Sequence, residues 1–210
     1  FVVRTQNGSS MLQGFWQLRQ TWSRFGAGSL VTAIKECGNA QQWRAALKLF
    51  RDSSRSRFQV GTLDYNVAIS ACGKGRLWQL AVSLLCELWE SLLEADVVSF
   101  NSGISACEKG GRWQHALSLL RRIREVELQA NSISYNSGIS ACEKGEKWPQ
   151  ALWLLRELQE AALEVDVIGC NAGISACGKG GQWQRALHLL RGLSEAELEP
   201  DVISFNSGIS

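Results

Sequence analysis

VVSFNSGISACEKGGRWQHALSLL, residues Val97–Leu120, holds two helical stripes on either side of a glycine pair. Phe100, Ile104 and Cys107 recur at i, i+4 and i+7, one face of an α-helix. Asn101, Ser105 and Glu108 fall on a different, polar face. Gly110–Gly111 then interrupts the pattern, as glycine pairs do. Trp113, Ala116, Leu117, Leu120 and Ile123 resume it, while Arg121, Arg122, Arg124 and Glu125 cover most of the other side. The alternation of a strand is absent over any useful length. The segment therefore reads as a helix–turn–helix hairpin of about 12 and 15 residues. One hairpin has an apolar stripe that it cannot bury alone.

The rest of the chain supplies the neighbours. Cys37, Cys72, Cys107, Cys142 and Cys177 stand 35 residues apart, as do Trp43, Trp78, Trp113, Trp148 and Trp183. Asn66, Asn101, Asn136, Asn171 and Asn206 keep the same spacing, and so do Lys74, Lys109, Lys144 and Lys179. Four residue types on one period define a repeat array. The units run Ala27–Gly61, Thr62–Asp96, Val97–Asn131, Ser132–Asp166 and Val167–Asp201; Val202–Ser210 opens a sixth and stops inside it. Phe1–Gly26 does not match, and its Met11, Leu12, Phe15, Trp16 and Arg19 suggest one capping helix. A chain beginning at Phe1 and ending within a unit is expected to be a fragment. The predicted fold is all-α, a right-handed α-solenoid superhelix. On its concave surface every unit presents the same residue at the same place.

Composition excludes several classes. Apolar residues make up 45% and charged residues 20% of the 210, which is not the balance of a disordered tail. No apolar run approaches the 18 or so residues of a membrane span. The periodic cysteines belong to neighbouring helices about 8–10 Å apart, beyond the roughly 7 Å a disulfide tolerates. No C-x-x-C occurs, and His115 and His188 occupy different places in their units, so no metal or cofactor site is expected. The cysteines read instead as small buried apolar residues in a reducing compartment. The periodic tryptophans could stack on bases, but their register with Ala116 and Leu117 favours packing between units. Nucleotide, zinc-protease and hydrolase motifs are absent, so no enzyme and no small-molecule substrate are expected. Gly73–Gly75 and Gly178–Gly180 are interhelical turns rather than phosphate cradles.

Two polar rows remain. Asn66, Asn101, Asn136 and Asn171 lie early in the first helix, one residue after Tyr65, Phe100, Tyr135 or Cys170. The units from Thr62 onward close on Asp96, Asn131, Asp166 and Asp201. Asparagine is not chosen for helix propensity. It serves either as a cap or inter-repeat hydrogen bond, or as one of a row of contacts to a regularly spaced ligand.

Val97–Leu120 resembles the opening and turn of a pentatricopeptide repeat. The 35-residue length, the aromatic–Asn pair, the glycine turn, the Ala-Leu of helix two and the closing Asp all fit. The resemblance covers Thr62–Ser210 well and Ala27–Gly61 poorly. It implies binding of single-stranded RNA, about one base per repeat. Asn66 with Asp96, Asn101 with Asn131, Asn136 with Asp166 and Asn171 with Asp201 would read base edges. By analogy they spell U, then C or U, then U and U. Leu63, Val98, Ile133 and Ile168 would sandwich the bases, and Lys74, Lys109, Lys144 and Lys179 would meet phosphates.

The sequence departs from the pattern in places. The first unit has Val31 in place of the Asn and ends in Gly61, so it is assigned no base. Residues 1–61 carry nine basic and two acidic side chains, whereas residues 62–210 carry 13 basic and 18 acidic. An acidic array is a poor general binder of phosphate. RNA binding therefore requires the lysines on one face, with Glu157, Glu160, Glu195 and Glu197 on the outer helices. The alternative is a helical scaffold for protein partners. The acid-poor, Arg-bearing start, with Arg4, Arg19 and Arg24 before Glu36, resembles a transit peptide and suggests a mitochondrion or plastid.

Overall fold

Asp96, Asn131 and Asp166 each stand in extended backbone immediately before a helix, and each side chain accepts the amide of the third helical residue. That bond satisfies one of the donors a helix start leaves open. The closing residue of one unit is thus the N-cap of the next. Gly61 has no side chain to offer, so Asp64 reaches back to the Gly61 amide at 2.9 Å.

The computed structural model describes residues 42–55, 60–91, 93–163 and 166–195, with five positions between 31 and 37. Phe1–Gly26, Asp201 and Val202–Ser210 lie outside the described residues. Among the described residues nine helices of 13 residues each follow in order from Trp43. They are α1 (Trp43–Arg55), α2 (Thr62–Lys74), α3 (Trp78–Glu90), α4 (Val97–Lys109), α5 (Trp113–Glu125), α6 (Ser132–Lys144), α7 (Trp148–Glu160), α8 (Val167–Lys179) and α9 (Trp183–Glu195). The second helix is shorter than the periodicity predicts. After α5 the chain turns at Glu127, whose φ of 58° is left-handed. Leu128 then donates back to the Ile123 carbonyl at 3.0 Å, closing the end as a Schellman-type turn.

The first helices α2, α4, α6 and α8 pack directly on one another, and each also packs on its own second helix and on the second helix before it. Among the described residues no two second helices make a comparable contact. The first-helix layer is therefore the tighter, inner one of an α-solenoid. Ile69, Ile104, Ile139 and Ile174, one per unit, are fully buried in it, together with Leu154 and Leu158 of α7. Long side chains bridge the outer layer instead. Arg124 on α5 donates to Glu157 on α7, with its Nη1 3.0 Å from Oε1.

The tryptophans and glycines form the seam between units. Gly75 and Gly110 end their helices under Trp43 and Trp78 of the preceding unit; a Cβ would stand 2.8 Å and 2.7 Å from those rings. Gly145 and Gly180 receive Trp113 and Trp148 in the same way. On the other face Arg112, Lys147 and Arg185 of the following unit lie 5.1, 5.7 and 4.5 Å from the ring centroids of Trp78, Trp113 and Trp148. Packing, the reading favoured by their register, accounts for these tryptophans. Cys72, Cys107, Cys142 and Cys177 are buried beside them. Burial pushes the Cys72 and Cys142 thiols up to about 12 and the Cys107 thiol to about 11.

Candidate nucleic-acid interface

Numbering each unit from its first helical residue, the aliphatic row is position 2, the Asn row position 5 and the Lys row position 13. At 100° per residue these positions, with 9 and 12, fall within an arc of about 100°. The hairpin buries the opposite side of the same helices. The aliphatic and Lys rows therefore share one open face of the inner layer, and the Asn row lies between them with Asn66 and Asn171 buried and Asn101 and Asn136 half-buried. Asn and Lys stand about 12 Å apart along each helix.

Leu63, Val98, Ile133 and Ile168 are exposed by 65, 57, 63 and 68%. One large aliphatic per unit is left uncovered at the same place. A scattered exposed apolar residue means nothing, but a periodic row is a surface awaiting a cover.

The Asn and closing residues meet across each unit boundary. Asn66 Nδ2 donates to Asp96 at 3.2 Å, Asn101 Nδ2 to Asn131 Oδ1 at 3.1 Å, and Asn136 Nδ2 to both Asp166 oxygens at 2.9 Å. Of the two sequence readings of the Asn row, the structure shows the inter-repeat one: Asn66, Asn101 and Asn136 each bond the cap residue of the next helix. Asn171 lies at the equivalent place in α8, and its predicted mate Asp201 is outside the described residues.

Asp96 and Asn131 are each held through one terminal atom and, among the described residues, keep the other unbonded. Asp96 Oδ1 accepts the Ser99 amide at 2.8 Å and the Ser99 hydroxyl at 2.7 Å in addition to Asn66. Burial works to raise the Asp96 carboxyl; these hydrogen bonds outweigh it and hold it below the usual carboxylate range. Asn131 Oδ1 accepts two bonds, from Asn101 and from the Ser134 amide at 3.1 Å, and the Ser134 hydroxyl stands 3.0 Å away. Among the described residues no partner is bonded to Asp96 Oδ2 or Asn131 Nδ2, so one unit offers an acceptor and the next a donor. Asp166 Oδ2 also points an acceptor outward, shared with Asn136.

Ser99 and Ser134 are side chains that the sequence reading did not single out. Both are fully buried, and Ser134 also donates to Asn101 Oδ1 at 2.6 Å. The Asp/Asn-x-x-Ser spacing before an apolar run was the available signal. Gly169 takes this place in the fifth unit, and Asn136 Oδ1 is buried without a partner there.

The lysines end their helices on the open face but are not equivalent. Lys144 Nζ donates to Glu108 at 2.6 Å and Lys179 Nζ to Glu143 at 2.8 Å, each acid coming from the preceding first helix. Lys109 has no such partner among the described residues. Glu157 and Glu160 lie on α7, an outer helix, as the charge argument requires, and Glu195 ends α9. No described helix is long and apolar enough to cross a membrane.

Solved structures share this architecture. The pentatricopeptide repeat protein PPR10 from maize matches 89% of the chain at 22% identity with a TM-score of 0.75. PPR10 in complex with an 18-nt psaJ RNA element matches 95% at 20% identity with a TM-score of 0.76. The chain spans only 27% and 30% of those two PPR10 chains. The PPR domain of Arabidopsis thaliana protein-only RNase P 1, solved in complex with tRNA, matches 83% of the chain and 92% of that domain. Its identity is 12% and its TM-score 0.70. No curated protein matches by sequence. The family model for pentatricopeptide repeat-containing proteins matches residues 66–193. With more than half of the chain under that match and its helices stacked in the same manner, the protein belongs to the pentatricopeptide repeat family.

Proposed function

We propose that the chain binds single-stranded RNA along the open face of its first helices, one base to each unit boundary, with sequence selectivity. The observation that carries this reading is the repeated pairing of an exposed aliphatic residue with a rigid, outward hydrogen-bonding edge. A base covering Val98 or Ile133 would place its Watson–Crick edge near the closing residue. An outward carboxylate oxygen, as on Asp96 and Asp166, suits the N3–H of uracil. The outward amide of Asn131 suits the N3 acceptor of cytosine and also tolerates a uracil carbonyl. The preferred order is thus U, C, U over three boundaries, with U at Asn171 and Asp201. PPR10 and the RNase P 1 domain, both solved with RNA bound, support the reading. The chain acts as a binding module and not as an enzyme, and its role lies in processing, stability or translation of mitochondrial or plastid transcripts.

Titration with U-rich and A-rich oligonucleotides of equal length at fixed salt tests the reading. U-rich RNA should bind tighter, and Ile133→Ser should weaken it with little change in the melting temperature, because Ile133 is 63% exposed in the free protein. Equal binding to both oligonucleotides would refute the selectivity. A nuclease-resistant protein complex unaffected by Ile133→Ser would favour a scaffold instead.

A further inference from the structure

The lysine row divides into masked and open positions. Glu108 Oε1 takes the Lys144 ammonium at 2.6 Å and the Ser140 hydroxyl at 3.3 Å. Glu143 Oε1 takes Lys179 at 2.8 Å and Ser175 at 2.9 Å. Both carboxylates are largely covered while both lysines remain half-exposed. A serine one turn before each lysine thus orients an acid that reaches forward from the previous unit. The residue that would mask Lys109 in this manner is Gly73, which has no carboxylate. At that junction the ends of α2, α4 and α6 enclose an open cavity of about 310 Å³. It is lined by Arg76, Glu108, Lys109, Gly110, Gly111 and Lys144. The side chains of Arg76 and Lys109 bond no described residue, and both residues are exposed. The corresponding place one unit later carries Gly111 and Glu146 where Arg76 and Gly111 stand here.

We propose that Glu108 and Glu143 close two of the phosphate positions on this face, and that the Arg76–Lys109 cavity is, among the described residues, the open anchor for the phosphates of a bound strand. Opposite charge at hydrogen-bond distance neutralises each masked lysine before a phosphate arrives. A strand then gains no counterion release there, so the array holds bases in register with little general attraction for polyanions. This inference builds on the RNA reading but concerns only charge, so it is separable from base recognition.

The test measures binding against salt for two probes, oligouridylate and inorganic polyphosphate. The proteins are wild type, Glu108→Gln/Glu143→Gln, and Arg76→Gln/Lys109→Gln. Glutamine keeps an acceptor for Ser140 and Ser175, and melting temperatures confirm that the folds match. Each single-strand phosphate contact contributes about 0.7 to the slope of log K against log salt. The double Glu variant should therefore steepen the slope by about 1.4 for both probes. The Arg76/Lys109 variant should flatten it by a similar amount. An unchanged slope in the Glu variant would overturn the masking, and an unchanged slope in the Arg76/Lys109 variant would overturn the anchor. Steepening in the Glu variant and flattening in the Arg76/Lys109 variant with polyphosphate, alongside equal affinity for the U-rich and A-rich oligonucleotides of the titration above, would uphold both and refute base reading alone.

Discussion

Asn131→Asp should change which pyrimidine the Asn101/Asn131 boundary prefers while leaving the fold intact. Asn131 Oδ1 accepts from Asn101 Nδ2 and the Ser134 amide, each at 3.1 Å. The single Ser134 hydroxyl proton goes to Asn101 Oδ1 at 2.6 Å. Rotating the amide by half a turn would set its NH₂ against two donors. At about 0.5–1.5 kcal/mol net per bond, that flip costs roughly 2 kcal/mol and is populated below about 5%. The outward atom is therefore a donor. Aspartate retains both inward bonds through one oxygen and turns the outward atom into an acceptor. As N-caps the two residues are nearly equivalent, and the added charge sits favourably at the start of α6. One hydrogen bond of about 1 kcal/mol is lost with cytosine and one is gained with uracil. The preference should thus swing by about 2 kcal/mol, close to 30-fold in the affinity ratio. Fluorescence anisotropy with two oligonucleotides differing by C or U at that single base reads the ratio, and thermal melting controls for folding. A C-to-U ratio unchanged within twofold in a stably folded variant would refute the locked-amide argument.

Gly110→Ala should destabilise by about 1–3 kcal/mol, because the new Cβ would stand 2.7 Å from Trp78 although the φ of −82° suits alanine; a denaturant midpoint checks this. Glu146→Gly should stabilise by about 1 kcal/mol, since Glu146 holds a φ of 55° where two other units place glycine, and a calorimetric melting temperature measures the gain. Stability conferred by Asp96 should be fully present above its unfolded pKa of about 3.9. Because the folded carboxyl is held lower, that contribution disappears as pH falls through the folded value. Asp96→Asn should therefore melt with a weaker acid dependence below about pH 4 than wild type, in parallel scans over pH 2–6.

Much of this was visible in the chain. The 35-residue spacing of Cys, Trp, Asn and Lys dictated hairpins and stacking, because only a stacked array presents one residue type to one environment repeatedly. The register of Trp113 with Ala116 and Leu117 foretold its packing. The Asn-to-closing-residue distance of 30 positions could not reveal that Asn66 and Asp96 bond directly, since that depends on how far α2 and α4 stand apart. The same holds for Glu108 and Lys144, 36 residues apart in sequence and 2.6 Å apart in space. The early end of α5 escaped periodicity because Arg124 and Glu125 continue a helical pattern that the left-handed Glu127 then stops. Ser134 was overlooked because a serine in a first turn is common, and its burial is created by the neighbouring unit.

The closing residue has two duties, and they have a consequence for rearranging the array. Asp96 belongs by sequence to one unit, caps the helix of the next through Ser99, and receives its amide contact from Asn66. A recognition element is therefore a joint and not a module. Exchanging whole units at the boundary after Asp96 would carry the letter along but replace the serine or glycine that seats it. Cutting within the second helix would move the closing residue together with the residue that seats it, and would leave the Asn behind with the preceding segment.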